Sequence, residues 1–194
     1  MIDPFIPLPE HFRHASKIHG QSHVARVMIH ALRLIEATGW EAEAPRLWAA
    51  VYMHDLERTH DGRCHRHGAD AVTRWQTQDA LRLHILSGGV TENDHEAIEA
   101  AVTLHCMDDD ELPPRDHPYW RLCVLLKDAD GLDRVRLGDL DPSYLRLPQS
   151  LGMVEFAKQL YDVTNGDIPE GPEHFAELTA AAAELLGVVE PEGE

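Results

Sequence analysis

A chain of 194 residues with 43% hydrophobic side chains can bury a full core and reads as one soluble globular domain. Its formal net charge of −17 repels polyanions and argues against an extended nucleic-acid surface, yet 14 of its 17 basic residues are arginine, whose planar fork suits phosphate. Three cysteines, Cys64, Cys106 and Cys123, lack CxxC spacing, so a disulfide framework and a thiolate zinc knuckle are excluded and a reducing cytoplasm is the expected setting. No signal peptide and no run of transmembrane length is visible, so no membrane partner is expected.

In chain order, Pro4, Pro7 and Pro9 predict an extended N-terminal segment over residues 1–18, packed on the domain. Val24, Val27, Met28, Ala31 and Ile35 recur at helical spacing and predict a helix from about Ser22 to Thr38, stopped by Gly39. Pro45 suits the first turn of a second helix running to about Leu56, apolar on nearly every side and therefore central. A polar loop over Thr59–Cys64 precedes helices over His67–Gln76 and Asp79–Leu86. Thr91 and Asp94 form a capping-box pattern that opens a helix to His105. A proline-containing loop leads to a helix over roughly Tyr119–Ala129, then Leu140–Leu147 as loop or short helix, then helices over Met153–Val163 and Glu173–Leu186. No segment alternates like a strand. The expected fold is all-α, a single helical domain over residues 19–187 with an acidic tail over 188–194.

The chemistry gathers at His54-Asp55, which ends the most apolar segment. Two ionisable groups there need partners, and a metal is a good one. His23 on the preceding helix and Asp130 further along complete an H…HD…D constellation. Imidazole nitrogen mixed with carboxylate oxygen suits Mn, Fe, Co, Ni or Zn better than Ca. Such a site, with a position open to water, acidifies that water and neutralises a phosphoryl oxygen. The competing reading is a helix C-terminus carrying a cation with a carboxylate partner, and His23 as a solvated first-turn residue.

A second layer consists of His65, His67 and His105, which could ligate a second metal, bind phosphate or orient ligands. Arg58, one turn beyond His54, is expected to contact phosphate, and Arg26, one turn after His23, faces the same way. Phosphate-binding glycine loops and the serine-hydrolase elbow are absent, and Asp108–Glu111 lacks EF-hand spacing and reads as a solvated loop.

These pieces resemble the HD-domain superfamily of metal-dependent phosphohydrolases. The similarity lies in His19–Val27, Met53–Arg58, His65–Ala69, Leu104–Cys106 and Lys127–Asp133, in the family's order over about residues 19–136. The resemblance implies an all-helical bundle with His23, His54, Asp55 and Asp130 as metal ligands. Asp55 would also act near the nucleophilic water, and Asp128 or Asp133 would orient water or cap a helix. Arg58 stands where the deoxynucleoside-monophosphatase and (p)ppGpp-hydrolase branches have glutamate. The cyclic-di-GMP branch's Gly-Tyr-Pro signature is missing, so the resemblance assigns none of those substrates.

The expected function is a cytoplasmic metal-dependent phosphohydrolase acting on a phosphoester of a nucleotide or other small phosphorylated metabolite. It would hold one divalent ion (Mn, Fe, Co, Ni, Zn or Mg) or two, with Asp55 and Arg58 as catalytic residues and Arg26, His65, His67 and His105 toward phosphate. A non-catalytic metal- or nucleotide-binding module and a di-iron oxygenase on the same fold are the alternatives. Oligomeric state stays open.

Overall fold

The computed structural model describes residues 7–165 and 174–187, with the side chain of His174 excepted. Pro4 of the N-terminal segment and the acidic tail lie outside the described residues. Among the described residues there is no strand. The chain builds α1 (Gln21–Thr38), α2 (Ala44–Met53), α3 (His67–Thr77), α4 (Asp79–Ser87), α5 (His95–Leu104), α6 (Trp120–Leu132), the single turn α7 (Pro148–Leu151), α8 (Val154–Thr164) and α9 (His174–Leu185). The all-α expectation is therefore met.

The boundaries follow local chemistry. Gly39 closes α1 at φ 67°, a left-handed position that costs glycine nothing, and its N–H returns to the Ile35 carbonyl. Pro45 stands in the first turn of α2, where its missing N–H has no helical partner to lose. The Thr91–Asp94 capping box forms, with Thr91 N–H donating to Asp94 Oδ2 at 2.9 Å. It encloses a 3-10 turn, and α5 starts at His95. Helix α2 ends at Met53, earlier than the apolar run suggests, so His54 and Asp55 occupy the tight turn that follows.

The core is one cluster built on α1, α2, α5 and α6. Every residue of α2 from Leu47 to Met53 is buried, as its all-round apolarity predicts. Helix α1 is buried beyond its apolar stripe: His23, Arg26 and His30 are also enclosed. The cause is the C-terminal part of the chain, because α7, α8, α9 and the 3-10 turn Asp133–Leu137 pack on α1. These elements cap the bundle, and among the described residues none beyond Arg146 lines the main cleft. On the opposite side α3 packs on α5. Gly68 permits that approach, since a Cβ there would stand 2.1 Å from the Val102 carbonyl oxygen.

Helix α6 is buried along Leu122–Ala129, with Lys127 and Asp128 among the enclosed residues. Lys127 Nζ donates to the carbonyls of Leu104 (3.2 Å) and Met107 (2.6 Å), closing the C-terminus of α5. Asp128 accepts from the backbone N–H of Arg146 and Leu147 and from Ser150 Oγ at 2.6 Å, so it ties the start of α7 and the loop before it to α6. Asp109, expected in a solvated loop, is half-exposed and pairs with Lys127 and Arg146.

Candidate metal centre

Five segments meet around one carboxylate. Helix α1 supplies His23, the turn after α2 supplies His54 and Asp55, the facing ends of α3 and α5 supply His67 and His105, and α6 supplies Asp130. Asp55 is 4% exposed and lies at the middle. Its Oδ2 is 3.3 Å from His23 Nε2, 3.8 Å from His54 Nε2 and 2.9 Å from His19 Nδ1. Its Oδ1 is 3.1 Å from His67 Nε2 and 3.9 Å from His105 Nε2. One carboxylate thus joins two imidazole pairs.

The rings are locked with their Nε2 atoms pointing inward. A carbonyl only accepts, so His54 Nδ1 donates to Val51 (2.7 Å), His105 Nδ1 to Val102 (2.6 Å) and His67 Nδ1 to Cys64 (2.9 Å). His23 Nδ1 donates to Asp133 Oδ2 at 2.8 Å. In each neutral ring the inward Nε2 is left as a lone pair. These lone pairs face each other, His23 to His54 at 3.1 Å and His67 to His105 at 2.9 Å. Acceptors brought this close repel unless a cation or a proton stands between them. Hydrogen-bonded outer nitrogens of this kind are how proteins orient metal-binding histidines.

The electrostatics point the same way. Burial and Arg136 oppose a charge on His23, but hydrogen bonds to Asp130, Asp133 and Asp55 outweigh them and raise it to about 9. Burial likewise opposes a charge on His67, and Asp55 with Cys106 overcomes it, raising the ring to about 10. His54 is pushed down to about 3 by burial and stays neutral. Burial favours the neutral acid at Asp55, but the surrounding histidines, His54 foremost, hold it well below the usual carboxylate range, and His23 does the same for Asp130. The cluster attracts positive charge at two places, one on each side of Asp55. Its donors fit two cation seats: His23, His54, Asp55 and Asp130 on one side, and His67, His105 and Asp55 on the other. Ligand atoms of His23, His54 and Asp130 lie within 4.8 Å of one another, as do those of His67, His105 and Cys106.

Beside the cluster opens a cleft of about 780 Å³, lined by Asp55, Arg58, His67, His105, Asp130 and Arg136 among others. This is within the usual range for small-molecule sites. Arg58 is nearly buried, donates Nη2 to the Gly62 carbonyl at 3.1 Å, and brings Nη1 within 3.7 Å of Asp55 Oδ1. Asp130 is the half-open member, with 28% of its side chain exposed.

Two expected site residues fall elsewhere. Arg26 does not reach the cleft: its Nε donates to Asp133 Oδ1 at 2.6 Å and its Nη2 to Oδ2 at 3.2 Å, with the guanidinium over the Tyr161 ring. The buried carboxylate of Asp133 lies nearer than any phosphate could, so the arginine belongs to the support of His23. His65 is exposed and hydrogen-bonds the Cys106 carbonyl at 3.0 Å, because only every third or fourth position of a helix entrance faces the core and His67 takes it. Sequence reasoning missed His19 as a site residue. It is 7% exposed, it touches Asp55, and its one signal was the four-residue spacing to His23 across Gly20.

Comparisons with protein-family models, with curated proteins and with solved structures return no match.

Proposed function

We propose that this chain is a metal-dependent phosphohydrolase of the HD-domain type, cleaving a phosphoester of a nucleotide or another small phosphorylated metabolite. The observation that carries the reading is Asp55: one buried carboxylate between two pairs of inward-facing imidazoles, opening on a cleft that contains Arg58. When bound, divalent ions at these donors supply Lewis acidity toward a phosphoryl oxygen and toward water. His23, His54, Asp55 and Asp130 would hold the first ion, and His67, His105 and the other oxygen of Asp55 the second.

The remaining groups position and screen. Arg58 offers its fork to phosphate oxygens beside Asp55, and its tie to Gly62 limits the side-chain freedom lost on binding. Asp133 keeps His23 in one tautomer, and Arg26 and Arg136 hold Asp133 ionised. His19 steadies Oδ2 of Asp55 at the cleft wall. The low dielectric around these groups strengthens each contact relative to water. A carboxylate shared by two histidine pairs also suits di-iron oxygen chemistry, which makes an oxygenase the second reading.

The deciding experiment is metal analysis of protein purified without added metal, beside His54→Ala and Asp130→Ala, followed by a phosphoester panel with Mn, Co, Ni and Mg. Bound metal that is reduced in both variants, together with phosphate release, supports the proposal. Dioxygen consumption by iron-loaded protein without phosphate release moves the assignment to the second reading. A wild type that binds none of these metals overturns both.

A further inference from the structure

We propose that the Cys106 thiolate is the anionic protein ligand of the second cation seat, making that seat a mixed sulfur–nitrogen–oxygen site with His67, His105 and Asp55. The inference rests on the two-seat reading of the centre and concerns only the second seat.

Geometry is the first argument. The Cys106 sulfur and one ring nitrogen each of His67 and His105 lie within 4.8 Å of one another. Both rings are buried, both donate Nδ1 to a carbonyl, and their Nε2 atoms meet at 2.9 Å with the Arg58 guanidinium beside the His67 ring. The sulfur follows directly on His105 where α5 has just ended, and it reaches the same cleft. Its S–H makes a long contact of 3.7 Å to the Thr103 carbonyl, and the sulfur itself faces the His67 ring and the Gly68 backbone N–H at the same seat.

Charge balance is the second argument. The first seat faces two carboxylates, Asp55 and Asp130. The second faces only the other oxygen of Asp55 and two imidazoles, and the Arg58 guanidinium stands 3.3 Å from the His67 ring. A dication placed there shares half of one carboxylate's charge with its neighbour and is repelled by an arginine. Among the described residues, the side chain that completes a ligand group with His67 and His105, and that can carry negative charge, is Cys106. Binding proceeds as an exchange of protons for the cation: the S–H bond of Cys106 and the Nε2–H bond of His67 break, sulfur and nitrogen keep their electron pairs and give them to the cation, and both protons leave to solvent. A thiolate in the donor set shifts preference toward Zn, Fe and Co and away from Mg and Mn.

The test is a Co²⁺ titration of the reduced, metal-stripped full chain, beside Cys106→Ser, Cys106→Ala and Cys64→Ser, with circular dichroism to show that each is folded. Three quantities are read: ions bound per chain, protons released, and the near-ultraviolet sulfur-to-cobalt charge-transfer band. Wild type and Cys64→Ser are expected to show the band as the second ion enters. Both Cys106 variants should lose the band, release one proton fewer, and bind the second ion at least about tenfold more weakly while the first ion is unchanged. A wild type that binds two ions with no band, or a band that disappears in Cys64→Ser and persists in the Cys106 variants, overturns the thiolate ligand and leaves the two seats standing. A wild type that binds no second ion overturns the two-seat reading with it.

Discussion

At the scale of single residues, the centre shows how far a carboxylate will be enclosed when its neighbours compensate. Asp133 is 0% exposed and serves two cations and an imidazole at once, Arg26 at 2.6 Å, Arg136 at 3.5 Å and His23 at 2.8 Å. Removing its charge in Asp133→Asn leaves Arg26 enclosed and uncompensated. Chemical denaturation should show a loss of about 3 kcal/mol, and a metal titration should show affinity about 10- to 100-fold weaker as His23 loses its orienting partner. His30 is the opposite case. It is fully buried beside Phe156, and neither ring nitrogen has a hydrogen-bond partner among the described residues. Burial pushes it down to about 4, with Arg26 and Arg33 adding to the effect against Asp133. Above pH 6.5 the ring is neutral whether the chain is folded or not. Between about pH 6.5 and 4 the unfolded chain takes a proton that the folded one refuses, so stability falls as pH falls and levels off below, by roughly 3 kcal/mol in all. His30→Leu should flatten that part of the wild-type pH dependence and gain about 1 kcal/mol or more at pH 7 by removing unpaired polar nitrogens. Urea midpoints at pH 7 and pH 5 read both effects.

At the scale of elements, the centre depends on how closely α3 approaches α5. Gly68 follows His67, and a Cβ on it would meet the Val102 carbonyl oxygen at 2.1 Å and His105 Nδ1 at 3.2 Å. The obstacle is backbone, which cannot rotate aside. Gly68→Ala should therefore push the helices apart, cost about 1–3 kcal/mol or more, and weaken binding at His67 and His105 while leaving the seat made by His23, His54 and Asp130 intact. Equilibrium unfolding together with the number of ions bound per chain distinguishes this from general destabilisation. The loop between α6 and α7 is a second such element: Asp128 anchors its far end through Arg146, Leu147 and Ser150, and its span supplies one wall of the cleft.

At the scale of the molecule, a chain of formal net charge −17 encloses a histidine–carboxylate cluster whose donors could hold a metal. Metal that binds only the folded chain adds stability by mass action, about 2.7 kcal/mol at a free concentration 100-fold above the dissociation constant. Chelation should therefore lower the melting temperature by several degrees, and readdition of metal should restore it, with a smaller shift in His54→Ala, which keeps the second seat alone. No described helix is long and apolar enough to cross a membrane. The described helices from α8 onward reach the site through its supports: α8 packs on α1 and on the Asp133–Leu137 turn, and α9 packs on α1.

Local signals were enough for the helices. Apolar spacing, Gly39, Pro45 and the Thr91–Asp94 box act within a turn or two of chain, and they placed nearly every helix within a few residues of where it lies. They could not show that α1 would be enclosed on its polar side, because that depends on α8 and α9 returning from more than a hundred residues away. For the same reason Arg26 read as a phosphate contact: its spacing from His23 was visible, and Asp133, which occupies it, was not. The doublet His54-Asp55 stood out because ionisable groups at the end of an apolar helix demand partners. Which partners answered was a matter of tertiary structure: His19 before α1, His67 beside Gly68 and His105 at the end of α5 converge on Asp55, while His65, two residues from His67, turns to solvent. Sequence by itself determined the residues capable of this chemistry and the helices that carry them, since both are local properties. The packing of those helices decided which of them share a centre, because a few ångströms between non-neighbouring segments separate a ligand from a surface histidine.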